Sequence, residues 1–190
     1  AFFGMMRFGE ISSRSRSSFD KSKHLTRKDA LLGFDMNGSR YVRLDLPCAK
    51  TARPGEIQFI YLTNQGSLCP IDALNNLASV VPARAGDPLF SWRDHHGDIR
   101  PMVHSTALRY INNILQEGDF GTSFGHSFRI GGASFFLARG VSPEIVRIAG
   151  RWKSLAYELY IRAFEQVASL HLSIRQPSVV GVAAVPAAVV

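Results

Sequence analysis

The sequence predicts an α+β fold, mainly α-helical with small β-hairpins, from three observations. Two alternating runs, Tyr41-Val42-Arg43-Leu44-Asp45-Leu46 and Ile57-Gln58-Phe59-Ile60-Tyr61-Leu62, flank a loop that contains Pro54-Gly55. Proline stands just inside two helix starts, Cys69-Pro70-Ile71-Asp72 and Ser142-Pro143-Glu144. Leu108, Ile111, Asn112 and Leu115 recur at helical spacing between them.

Taken in order, residues 1–16 read as a helix end. Phe2, Phe3, Met6, Phe8 and Ile11 form its apolar face, and Ser12-Ser13-Arg14-Ser15-Arg16 closes it. A short strand is expected around 29–34, ended by Asn37-Gly38. The two alternating runs then form a hairpin with Lys50 at or near its tip. A helix follows from Cys69-Pro70 to about Val80, then a loop over 82–86. Leu89-Phe90-Ser91-Trp92 and Ile99-Arg100-Pro101-Met102 flank a polar turn and predict a second, smaller hairpin. A helix starting at Ser105 or Thr106 runs to about Gln116, and residues 118–125 break it. The next helix spans 126–139 and packs tightly through Gly131, Gly132 and Ala133. Another starts at Ser142 and ends near Gly150. Ser154 is expected to cap a last helix that carries Tyr157 and Tyr160 towards Leu172.

Composition narrows the function classes. The chain has 190 residues, is 46% hydrophobic and 19% charged, and so has the balance of one globular domain with a real core. A net charge of +7 and a pI near 9.8 suit a polyanion partner, although a solvated basic surface has the same composition. Cys48 and Cys69 are too few for a disulfide framework and point to a reducing, intracellular compartment. They form no Cys/His cluster, so no zinc site is expected. The 15 acidic residues are scattered and there is no glycine-rich phosphate loop, so neither a metal nor a nucleotide cofactor is expected. The sequence starts at Ala1, and Phe2-Phe3-Gly4-Met5-Met6 reads as the middle of an element, so further chain is expected upstream. The opening lacks the signal-peptide pattern. Residues 173–190 read as an apolar, flexible tail, too short and too broken by Gly181 and Pro186 to span a bilayer.

The chemistry-bearing residues concentrate in 125–162. His126 and Arg129 lie three apart on one helix, a proton-transfer group beside a planar cation that matches phosphate oxygens. The same pattern also fits a helix-start histidine and a surface arginine. Arg7 sits among Met5, Met6 and Phe8, where a charge needs a partner, and Glu10 is spaced to supply one. Lys50 on a hairpin tip can neutralise a phosphate or protonate a leaving alkoxide, and equally can be a solvated turn residue. Tyr160 and Tyr157 are candidate nucleophiles, which a phenol becomes only when cations or a base activate it. Both also fit an apolar stripe with Leu155, Leu159 and Phe164.

In this order the motifs resemble the catalytic domain of the tyrosine recombinase (phage-integrase-like) family. The ordered set is Arg7-x-x-Glu10, Lys50, His126-x-x-Arg129, Gly150-Arg151-Trp152 and Tyr160, and it covers roughly residues 1–172. The stretches HSFRIGGA and GRWKS followed by LYIR look most like integrases of eukaryotic mobile elements (transposons) of the Crypton and DIRS-like kind. The resemblance implies a recombinase catalytic-domain fold and metal-independent DNA cleavage and rejoining in site-specific recombination or integration. Tyr160 would attack a scissile phosphate, form a 3′-phosphotyrosine link and release a 5′-hydroxyl. Arg7 and Arg129 would clamp the non-bridging oxygens, Lys50 would protonate the leaving oxygen, and His126 would move the Tyr160 proton. Glu10 and Arg151 would support them.

The family's sixth position, usually His or Trp, falls on Arg151 by spacing and on Trp152 by residue type, and Trp152 is the preferred assignment. The implied partners are double-stranded DNA and further copies of the chain in a tetrameric synapse, with no membrane. The implied location is the nucleus for a eukaryotic element and the cytoplasm otherwise. The family's N-terminal core-binding domain has no counterpart in this sequence, and the first part of the catalytic domain is expected upstream. Two alternatives remain: a non-catalytic DNA-binding relic of such an element, and a relaxing enzyme resembling type IB topoisomerases.

Overall fold

The computed structural model describes residues 1–49 and 56–153. The elements come in the order α1 (Phe8–Ile11), β1 (Ala30–Phe34), β2 (Arg40–Leu46), β3 (Gln58–Thr63), α2 (Pro70–Val80), β4 (Ser91–Arg93), β5 (Ile99–Pro101), α3 (His104–Glu117), α4 (Gly125–Ala138) and α5 (Pro143–Ala149). Helices and small antiparallel sheets together make a mixed α+β fold.

The alternating run in β2 folds as its pattern demands. Val42, Leu44 and Leu46 are buried while Tyr41, Arg43 and Asp45 between them are only partly covered. Across the hairpin, Ile60 and Leu62 of β3 are buried opposite Leu44 and Val42. The strand expected around 29–34 becomes β1 and adds to the edge of β2, from Ala30 opposite Leu44 to Phe34 opposite Arg40, so the hairpin is one part of a three-stranded sheet. Gly38, at φ +76, takes the left-handed turn that the Asn37-Gly38 pair predicts between β1 and β2. The second hairpin, β4 with β5, has Arg93 opposite Ile99.

Two expectations are corrected. The helix expected over 1–16 is one turn, Phe8–Ile11, because Met5 has a positive φ of 44° and the backbone before it turns back on itself. The helix expected from Ser105 or Thr106 starts at His104, after Val103, with no side-chain cap. Its face of Leu108, Ile111, Asn112 and Leu115 is only partly covered, and Asn112 instead ties the following loop through two hydrogen bonds to the Ser123 backbone. The lysine tip of the first hairpin and the last helix, with Tyr157 and Tyr160, lie outside the described residues, as does the tail.

Among the described residues, apolar burial forms two clusters. One joins the sheet to α2, with Met6, Leu44, Leu46, Ile60, Leu62 and Ile71 among its members. The other joins α4 to α5 through Ala133, Leu137 and Val146, and includes Met5. Adjacent residues Met5 and Met6 thus enter different clusters, and the chain reaches Arg7 along the seam between them. Leu44 is 0% exposed at the centre of the sheet cluster. Leu44→Ala is therefore expected to cost about 2–5 kcal/mol, read as a lower urea midpoint at unchanged slope. Among the described residues no helix is long and apolar enough to cross a membrane.

Candidate active site

The seam gathers three arginines around one carboxylate. Arg7 is the residue before the first turn of α1, and Glu10 closes that turn. Glu10 Oε2 accepts a hydrogen bond from the Arg7 backbone N–H at 2.8 Å, and Oε1 accepts one from Arg7 Nη1 at 3.1 Å. The same Oε2 accepts from Arg151 Nη2 at 2.6 Å, across 141 positions of sequence. The Glu10 and Arg151 side chains are 6% and 8% exposed, whereas Arg7 keeps 24% of its side chain open to solvent.

Arg129 enters from α4. Gly131 and Gly132 let that helix close on the N-terminal segment: a Cβ on Gly132 would lie 2.1 Å from the Phe2 carbonyl oxygen. This approach brings Arg129 Nη1 to donate to the Met5 carbonyl at 2.5 Å, while Nη2 donates to the Gly150 carbonyl. Its guanidinium carbon lies 4.1 Å from the centre of the Trp152 ring. Arg129 is 3% exposed. Burial first, and then the Arg7 and Arg151 cations, lower its pKa to about 10, with Glu10 opposing them. Burial also lowers Arg151 below the ordinary arginine value; Glu10 opposes this and Arg7 adds to it. Among the described residues, Arg7 and Arg151 share the one carboxylate of Glu10, and Arg129 is held by carbonyls instead. The result is a partly desolvated cluster of guanidinium groups with their donors held in fixed directions.

Beside it opens a cleft of about 550 Å³ between the start of β3 and the end of α5. Glu56, Gln58, Arg147, Arg151, Trp152 and Lys153 line it. Arg147 Nη1 donates to the Trp152 carbonyl at 3.2 Å and so holds that segment against α5.

The structure thus brings together Arg7, Glu10, Arg129, Arg151 and Trp152. It does not tie His126 to them. His126 is exposed in the first turn of α4 and makes no hydrogen bond or ion pair among the described residues. Trp152 faces Arg129 with its ring, and Arg151 donates to Glu10. Lys50 and Tyr160 lie outside the described residues. Sequence reasoning missed the two carbonyls that hold Arg129, because backbone acceptors leave no mark on residue type. Among the described residues no three His, Cys, Asp or Glu side chains gather to hold a metal. No family model matches the sequence, and no curated protein matches it.

Proposed function

We propose that this chain is the catalytic domain of a tyrosine recombinase that breaks and rejoins double-stranded DNA during integration or recombination of a mobile element. The observation that carries this reading is the Arg7–Glu10–Arg129–Arg151 cluster, a largely buried group of guanidiniums assembled from three distant parts of the chain. A phosphodiester between Arg7 and Arg129 presents two non-bridging oxygens to planar donors, and the charge that grows on them in the transition state meets cations already in place.

Tyr160 attacks phosphorus through its phenolic oxygen. The bond to the 5′-oxygen breaks, Lys50 protonates that oxygen, and His126 takes the phenol proton. Reversal by a new 5′-hydroxyl rejoins the strand. The phosphotyrosine link conserves the bond, so the exchange is balanced by protein and DNA alone. DNA binding is expected to weaken steeply as salt rises, because phosphate contacts release counterions. Four copies on two DNA duplexes make the working assembly, in the nucleus if the element is eukaryotic.

The test is capture of a covalent adduct on a nicked suicide DNA substrate by the full 190-residue chain. The adduct is expected with the parent protein and absent from Tyr160→Phe. An adduct that persists in Tyr160→Phe and disappears in Tyr157→Phe moves the nucleophile to Tyr157.

A second reading, a DNA-binding relic without chemistry, has one observation in its favour: both terminal nitrogens of Arg129 already bond to carbonyls, as in a structural arginine. Salt-sensitive DNA binding without an adduct on any substrate geometry selects that reading.

A further inference from the structure

Arg151 is the residue of the site whose hydrogen bonding is incomplete. Its Nη2 is taken by Glu10, but Nε and Nη1 are buried and have no acceptor among the described residues. A buried guanidinium with two idle nitrogens is costly, and natural proteins keep such a group where something else completes it. Its backbone adds a second anomaly. Arg151 has φ +59, a left-handed conformation that a residue with a long side chain adopts at a cost. The turn that ends α5 would be easier with glycine here, yet the position holds an arginine, aimed back across the seam at Glu10. A third observation is the cleft. Among the described residues, Arg151 lines it together with Lys153, Glu56 and Arg147, the last paired with Glu144. Trp152, by contrast, has its ring under Arg129 and packs with the α4–α5 cluster.

We propose that Arg151 is a third phosphate-binding guanidinium, and that the cleft it lines takes the strand carrying that phosphate. The inference deepens the recombinase reading and rests on it for the identity of the strand. Glu10 then acts as a shared anchor. Its one carboxylate, held by both Arg7 and Arg151, orients two forks and leaves Nε and Nη1 of Arg151 for the phosphodiester. Trp152 positions Arg129 by stacking and supplies no donor to the phosphate.

Two measurements test this, and the first needs no DNA chemistry. Inorganic phosphate is titrated into the 15N-labelled full chain while the arginine Nε–H resonances are followed, with the Arg151 resonance assigned by its loss in Arg151→Lys. A saturable shift of the Arg151 resonance is expected; no shift overturns the anion site, whether or not the chain cleaves DNA. The second compares adduct formation on DNA with a phosphate or a neutral methylphosphonate at the cleavage site. Arg151→Ala is expected to slow the phosphate reaction by about 100-fold or more and to lose much less on methylphosphonate, where the charge it meets is gone. Equal loss on both linkages overturns the contact. So does a larger loss in Trp152→Phe, which removes the indole donor and keeps the ring. Arg151→Gly suits the left-handed backbone and is expected to unfold no earlier than Arg151→Ala while losing the same activity, which separates phosphate binding from folding. Should the parent protein form no adduct at all, the recombinase reading fails and the phosphate titration still decides the role of Arg151.

Discussion

Arg129→Ala is expected to lose both stability and chemistry. The parent side chain donates to the carbonyls of Met5 and Gly150 and stacks on Trp152, so it ties the N-terminal segment, α4 and the end of α5 together. Truncation leaves two carbonyls without their charged donor and opens a cavity under the Trp152 ring, at a cost of about 3 kcal/mol or more. The urea midpoint reads that loss. Adduct formation is expected to fall by about 100-fold or more, the scale for removing one preorganised donor to transition-state charge. Arg129→Lys keeps the cation but cannot bridge two carbonyls and stack as a plane at once, so it should fall between the two. Full activity in Arg129→Ala ends its role as a phosphate clamp. An unchanged urea midpoint ends its role as a tie.

Gly132→Ala is the second large effect, and it acts at a distance. The added methyl would sit 2.1 Å from the Phe2 carbonyl oxygen and 3.1 Å from the Met5 side chain, so the N-terminal segment must move away from α4. The expected cost is about 1–3 kcal/mol. Adduct formation should drop with it, because Met5 carries the carbonyl that orients Arg129 and leads directly into Arg7. Gly9→Ala is the control: Gly9 is exposed in α1 with nothing near its missing Cβ. There alanine is expected to gain roughly 0.5–1 kcal/mol by reducing the freedom of the unfolded chain. Equal responses at the two glycines would contradict the tight approach of α4.

The legible parts of the fold are those with local periodicity. The alternation of Val42, Leu44 and Leu46 announces a half-buried strand, and Pro70 and Pro143 mark helix starts, because backbone geometry alone restricts those positions. What stays hidden is non-local. In β1 the burial does not alternate cleanly, so its place at the edge of β2 follows only from the folded pairing. The N-terminal helix shrinks to one turn because Met5 and Met6 are pulled into different apolar clusters, which no local pattern encodes. In the site, ordered spacing singles out Arg7, Glu10, Arg129, Arg151 and Trp152, and the fold brings these five together. Their partnerships are not legible. Glu10 reads locally as the partner of Arg7 alone, and its bond to Arg151 spans most of the chain. The three-residue spacing of His126 and Arg129 suggests one shared face, but the helix turns one outward and buries the other.

A phosphate held by arginines and attacked by a tyrosine would leave a covalent protein–DNA bond that can be captured. Protein and a nicked suicide duplex from an end of the proposed mobile element are mixed without metal, denatured and resolved by size, in parallel for the parent chain and Tyr160→Phe. The recombinase reading predicts a covalent protein–DNA species with the parent chain that maps to Tyr160 by peptide mass and is missing from the variant. DNA binding that is equal in both proteins, with no covalent species in either, would contradict it.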